Sequence, residues 1–280
     1  MQIENKIYEE ERALYHLQKA TVKNCTFAGA ADGESALKEC RHIAVTGCRF
    51  ALRYPLWHAR DFLVENSKME ETARAPLWYC REGKIADTEI LSVKCLRECE
   101  DITLEKCKIL SPEFGWRCRK LKSKDCRIES EYFLFESRNV EIHSLDLHGK
   151  YSFQYTKEVE IEASVLDTKD AFWHSKNVPV RNSTVKGEYL GWYSEGLTLE
   201  NCRIIGTQPL CYCKKLKLIN CTMEQTDLAF EYSEVEAEIN GEILSVKNPR
   251  SGFITADRIG EIITENSLVK SDCKIIQRKI

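Results

Sequence analysis

Apolar and polar residues alternate along most of this chain in short runs, and the runs recur. Residues 197–204 read LTLENCRI and residues 216–223 read LKLINCTM, the same order of apolar, polar, Asn and Cys positions. Related phrases begin at Ala20, Ile43, Phe62, Gly83, Ile102, Leu121, Val140, Val159, Val178, Leu197, Leu216 and Val235. The step is 23 after Ala20, where a GAADGES loop is inserted, 21 after Phe62 and 19 elsewhere. A fixed period of this length marks a repeat architecture and outranks local propensity.

Within each phrase the alternation has period two, as half-buried strands require. Positions one, three and eight are apolar, for example Ile43, Val45 and Phe50. Between them stands Asn24, Asn66, Asp87, Asp125, Asn182, Asn201 or Asn220, residues that tolerate the left-handed backbone and so suit a corner. Such a unit cannot bury its apolar face alone, whereas stacked units pair their strands in parallel and share one core. The expected fold is all-β, a single-stranded right-handed parallel β-helix of about twelve coils of ~19 residues, the hand following the preference of parallel crossovers. One domain is expected over 1–280, with coils over 13–240 and short caps at 1–12 and 241–280.

The third strand of each coil carries the chemistry. Its segments run ALYHL, ALKEC, PLWHA, PLWYC, CLREC, FGWRC, FLFES, SFQYT, AFWHS, LGWYS, PLCYC and LAFEY. Their fourth positions are His16, Glu39, His58, Tyr79, Glu98, Arg117, Glu136, Tyr155, His174, Tyr193, Tyr212 and Glu231, all able to carry a charge or a hydrogen bond. Desolvating such a column would be prohibitive, so it is expected to face outward. Alternation then puts the third column in the core, with all five tryptophans, Trp57, Trp78, Trp116, Trp173 and Trp192. Lys38, Arg97 and Gln154 in that column argue for a bend that turns it outward. The second column, Leu14 to Ala229, is either an outward apolar stripe needing a partner or part of a corner that turns second and third residues inward together.

Composition narrows the field. The balance of 41 Lys and Arg against 44 Asp and Glu, without a basic block, argues against nucleic acid. The opening MQIENKIYEEER lacks the features of a secretion signal and no run is long enough for a membrane span, so a cytoplasmic protein is expected. Of the fourteen cysteines, eleven fall in two columns shared with Ser, Thr and Ala, which reads as small inward slots and not as a metal or redox centre; no cofactor is expected.

Two functional readings follow. Glu98 and Glu136 lie two coils apart, about 9.6 Å, near the upper carboxyl separation of inverting glycosidases. They are the candidate catalytic pair, with His58, Tyr79, Arg117, Tyr155, His174 and Tyr193 as candidate substrate-binding residues. Arg117 between the two weakens the case, and alternating charge also serves plain stabilisation. The other reading is an interaction or scaffold protein that presents a long sheet face, meeting a second copy or another protein through the apolar column. Asp170 in KDAFWH and Glu188 and Tyr189 in GEYLGWY are expected to form a solvated second rim.

The phrases ERALYH, GESALKEC, YPLWHA, ARAPLWYC, KDAFWHS, GEYLGWYS, LAFEYSEVEAEI and SVKNPRSG together resemble a bacterial family of unknown function, DUF3737, over nearly the whole chain. The resemblance implies a single-stranded right-handed β-helix, and it supplies no activity and no catalytic residue. One departure is YEEERAL, where a Gly is expected before the Glu-Arg.

Overall fold

The structure is a computed structural model that describes residues 1–29 and 33–278; Ala30–Asp32 of the inserted loop fall outside the described residues. It forms a parallel β-solenoid of about 14 turns, where the phrases led one to expect twelve. The difference arises because pairing continues past the phrases at either end. Gln2–Glu4 pairs with the strand containing Thr21–Lys23, and Ser251–Ala256 pairs with Asp272–Gln277, both in parallel. A strand needs only a neighbour in register, and it keeps one after the sequence period has drifted.

Two compact units are distinguished, Met1–Glu141 and Ile142–Ile280. In the first, the strands Gln18–Lys23, Arg41–Thr46, Arg60–Glu65, Arg81–Ala86, Glu100–Glu105 and Arg119–Lys124 stack in parallel. The register is that of the phrases: Ile43 lies on Phe62, Phe62 on Gly83, and Gly83 on Ile102. In the second, Lys157–Glu162, Lys176–Arg181, Glu195–Glu200, Leu216–Glu224 and Glu234–Asn240 do the same, with Leu199 on Leu218. Each long strand is followed by a short one, such as Arg49–Phe50 or Arg203–Ile205, that pairs with its counterpart on the next coil.

The corner between them is where the sequence placed it. Asn24, Asn66, Asp87, Asp125, Asn182, Asn201 and Asn220 all adopt left-handed φ, between 46° and 53°. Behind each corner a small polar atom satisfies a buried amide of the coil below. Cys25 N–H donates to Cys48 Sγ at 3.4 Å, Cys48 N–H to Ser67 Oγ at 3.1 Å, and Ser67 N–H to Thr88 Oγ1 at 3.4 Å. Each side chain donates in turn to the carbonyl two residues earlier, as Ser67 does to Glu65 at 2.7 Å. An unpaired buried N–H is expensive, so the column admits Cys, Ser and Thr. In the second unit Ser164 and Ser183 accept from Leu145 and Ser164 in the same way.

Apolar columns fill the interior. Val22, Val45, Val64 and Ile85 are fully buried, as are Phe27, Phe50, Met69 and Ile90. Phe27 and Phe50 stack with parallel rings 4.9 Å apart. Gly83 sits where a Cβ would collide with the ring of Phe62, so one coil's missing side chain accommodates its neighbour's large one. All fourteen cysteines are free thiols, and all but Cys273 are buried. Burial pushes Cys40 up to about 12 and Cys48 to about 11, far from a reactive thiolate at neutral pH.

Candidate functional site

The bend that carries the ionisable column consists of left-handed residues. In Met1–Glu141 the fourth positions Glu39, His58, Tyr79, Glu98, Arg117 and Glu136 have φ between 51° and 61°. In Ile142–Ile280 Tyr155, His174, Tyr193 and Tyr212 lie between 55° and 60°. A further left-handed residue precedes each, two places back at Leu96, Gly115, Leu134, Phe153 and Leu210, or four places back at Ser35, Tyr54 and Ala75. Left-handed residues interrupt the pleat, so strict alternation fails here.

The consequence decides one open alternative and corrects one expectation. Second-position Leu37, Leu56, Leu77, Leu96 and Leu134, and in the second unit Phe153, Phe172 and Leu210, are buried. Among the described residues this column therefore forms no outward apolar stripe. Third-position Trp57, Trp78, Trp116, Trp173 and Trp192 are half-buried beside the exposed or half-buried fourth column, not in the core. The fifth positions Cys40, Ala59, Cys80, Cys99 and Cys118 return inside. Lys38 and Arg97, both half-buried in the tryptophan column, were the sequence signal for this outcome.

Each indole is tethered. Trp57, Trp78 and Trp116 donate Nε1–H to the carbonyls of Ala75, Lys94 and Tyr132 at 2.7, 2.9 and 3.1 Å. Trp173 and Trp192 donate to Tyr189 and Gln208 at 2.7 and 2.8 Å. The rings stack along the coils: Trp57 on Trp78 at 5.1 Å, and Trp173 on Trp192 at 5.4 Å, with planes within 5°. Arg97 lies between Trp78 and Trp116, its guanidinium carbon 4.7 and 4.9 Å from their rings, and pairs with Glu113 at 2.9 Å.

In the first unit the outward ladder has two segments. His58 stacks on Tyr79 with centroids 4.9 Å apart. Further along, Arg117 Nε–H donates to Glu136 at 2.7 Å and its Nη1 lies 4.0 Å from Glu98. All three are exposed, and the bond to Glu136 raises the affinity of Arg117 for its proton. Main-chain bonds fix the column: His58, Tyr79, Glu98 and Arg117 each donate N–H, at 2.9 Å, to the third-position carbonyl of the following coil.

In the second unit the ladder is aromatic. Tyr155 stacks on His174 at 4.9 Å, His174 on Tyr193 at 5.0 Å and Tyr193 on Tyr212 at 4.8 Å, with planes within 13°. The next ring is Tyr232, 5.8 Å from Tyr212, and not Glu231, which was expected to continue the column. The step from Tyr212 is one residue longer than the period, so Phe230 takes the buried second position and Glu231 pairs with Lys247 at 2.9 Å. Burial and the charge of Glu231 push Tyr212 up to about 12.

The second rim also departs from expectation. Glu188 is exposed and 3.8 Å from Lys169, and Tyr189 sets its ring edge to face with Trp192 at 5.4 Å. Asp170, expected in solvent, is only 7% exposed, and burial raises its pKa. No sequence signal marked this, because KDAFWH does not disclose what the fold places around it. Among the described residues no group of three His, Cys, Asp or Glu is placed to hold a metal.

Several solved structures are similar to this chain. They include PfbA, a surface adhesin of Streptococcus pneumoniae, at 9% identity and a TM-score of 0.48, covering 83% of this chain and 83% of that one. A periplasmic alginate epimerase, AlgG, is 10% identical with a TM-score of 0.37 and coverages of 92% and 76%. The A-module of the Azotobacter vinelandii mannuronan C-5 epimerase AlgE4 is 7% identical with a TM-score of 0.33 and coverages of 98% and 87%. No curated protein matches the chain. The chain belongs to the DUF3737 family of proteins of unknown function, which matches it over residues 1–276.

Proposed function

We propose that this member of the DUF3737 family is a non-catalytic recognition module that binds an extended carbohydrate chain along the aromatic ladder of residues 142–280. The observation that carries the reading is the stack of Tyr155, His174, Tyr193 and Tyr212 at 4.8 to 5.0 Å, with Tyr155 and Tyr193 nearly half exposed. Because the rings face one another, their edges face solvent and present hydroxyl and imidazole groups once per coil. That spacing is close to the advance of one sugar unit in an extended glycan. A peptide strand, at about 3.3 Å per residue, falls out of step with it.

The backbone supports the same reading. A left-handed conformation costs a non-glycine residue about 1 to 2 kcal/mol, yet the fourth column carries large polar side chains throughout and no glycine. These side chains give the face a hydrogen-bonding or charged group in coil after coil. In the first unit His58, Tyr79 and Arg117 offer the corresponding contacts. The scaffold reading loses its motive, because the apolar column that was to meet a partner is interior.

A hydrolytic reading rests on Glu98 and Glu136 flanking Arg117, one carboxyl as general acid and the other as base. Arg117 commits its Nε–H to Glu136 at 2.7 Å, which favours an ion triad over a pair that shares a water.

Calorimetry with hexasaccharides of neutral β-glucan and β-mannan tests the proposal. Binding should weaken about tenfold in Tyr193→Ala and His174→Ala, whose circular dichroism should match the native chain. Absence of binding to every oligosaccharide, or equal affinity in the variants, refutes it.

A further inference from the structure

The second unit contains one buried charge-bearing group that its own fold leaves unused. Asp170 is 7% exposed, and among the described residues no group hydrogen-bonds or ion-pairs with its carboxylate, whose oxygens keep a narrow opening to solvent. Its main chain is fully engaged: Asp170 N–H donates to Glu188 O at 2.9 Å, and its carbonyl accepts from Gln154 Nε2 at 3.1 Å. A carboxylate so largely desolvated, with only solvent to meet its oxygens, costs stability.

Its place on the face is fixed by the column it occupies. Gln154, Trp173 and Trp192 reach in turn to the carbonyls of Asp170, Tyr189 and Gln208. Asp170 is therefore to its coil what Tyr189 is to the next, and Tyr189 packs its ring against Trp192. In the first unit Tyr54 packs against Trp57 in the same relation, at 4.5 Å. The column thus runs on the outer side beside the tryptophans. At Asp170 a short acid stands where Tyr151 and Tyr189 stand one coil to either side. It lies on the same bend as His174, four residues away. The charges nearest to it, Lys169 and Glu188, lie 3.8 Å from one another, which leaves little net field of either sign.

We infer that Asp170 is the specificity-determining residue of this face, accepting hydrogen bonds from the hydroxyls of a neutral glycan seated on the Tyr155 to Tyr212 ladder and excluding polyuronates. The inference rests on the carbohydrate reading above. A hydroxyl brings the donor that the carboxylate lacks. A uronate brings a second negative charge to a poorly hydrated acid, and like charges at close range there repel strongly.

The experiment compares neutral β-glucan and β-mannan hexasaccharides with oligogalacturonate and oligomannuronate of the same length, on the native chain and on Asp170→Asn. The native chain should bind a neutral oligomer and not the uronates. Asp170→Asn should bind the neutral oligomer about tenfold or more weakly, the loss expected of a charge-assisted hydrogen bond, and should narrow the discrimination against uronates. Its melting temperature should equal or exceed that of the native chain, which a purely structural role would not permit. Neutral-glycan binding that Tyr193→Ala abolishes and Asp170→Asn leaves intact overturns the inference and spares the carbohydrate reading. Tighter native binding of uronates, or a destabilised Asp170→Asn, also overturns it. Absence of all glycan binding overturns both.

Discussion

The indole N–H of Trp173 donates to the main-chain carbonyl of Tyr189 on the following coil, at 2.7 Å. This bond shows why the tryptophans lie outside. A core of parallel strands has spent its carbonyls on the ladder, whereas the bend leaves one carbonyl per coil free to receive an indole. The ring then stacks on its neighbour and shields the bend from water.

Replacing Trp173 with Phe should separate tether from stack. The aromatic contact with Trp192 survives while the carbonyl of Tyr189 loses its donor. We expect a loss of about 1 kcal/mol, read as a shift in the urea midpoint, with Trp173→Ala losing more.

The thiol column behaves as a set of hydrogen-bond acceptors. Cys48→Val leaves the Cys25 amide, now bonded to Sγ at 3.4 Å, buried without a partner. It should cost about 1 to 3 kcal/mol from the lost acceptor, with any crowding by the extra methyl group added to that. Cys48→Ser retains an acceptor and should stay within about 1 kcal/mol of the native chain. Equal midpoints for the two variants would show that the acceptor contributes nothing at this position.

Asp170 gives stability a pH dependence of defined sign. Burial raises its pKa, so the folded chain holds this proton to a higher pH than the unfolded chain does. The contribution of the site is therefore largest below the ordinary carboxylate value, about 3.9, and declines as pH rises toward the raised value. Asp170→Asn removes that decline. Thermal melts should show the variant at or above the native chain at pH 7, with the difference closing as the pH is lowered through the carboxylate range.

The triad of Glu98, Arg117 and Glu136 is exposed, so its worth to the fold is small. Arg117→Ala should leave the urea midpoint nearly unchanged, and any small effect should fade in molar salt. The same samples address hydrolysis. Release of reducing ends by the native chain, lost in Glu98→Gln and Glu136→Gln, would establish the pair as catalytic and displace the non-catalytic reading.

The legibility of this molecule divides along a physical line. Where residues occupy extended backbone, as from Ile43 to Val45, side chains must alternate, and the phrases disclosed strands, register and core columns together. The corners were legible for a related reason, since Asn66 and Asp87 advertise the left-handed backbone they adopt. At the second bend the left-handed residues are Leu96, Glu98, Phe172 and His174, types that give no such notice. Inward and outward could not be assigned there, and the tryptophans were expected on the wrong side.

The shift from Glu231 to Tyr232 is of the same kind. One extra residue in a bend is invisible to a periodic reading, although the tilted packing of Tyr232 against Tyr212 selects it in space. Asp170 lies furthest from sequence. Its type and position were plain, but its burial depends on neighbours from other coils.

The sequence by itself determined that this chain stacks its turns, and which residues become vertical neighbours, because strand alternation and a fixed period leave no other arrangement with a shared core. Only the tertiary structure decided which columns meet water. That choice rests on backbone conformation at a few non-glycine bends and on hydrogen bonds such as Trp173 to Tyr189, which form only once one coil lies upon another.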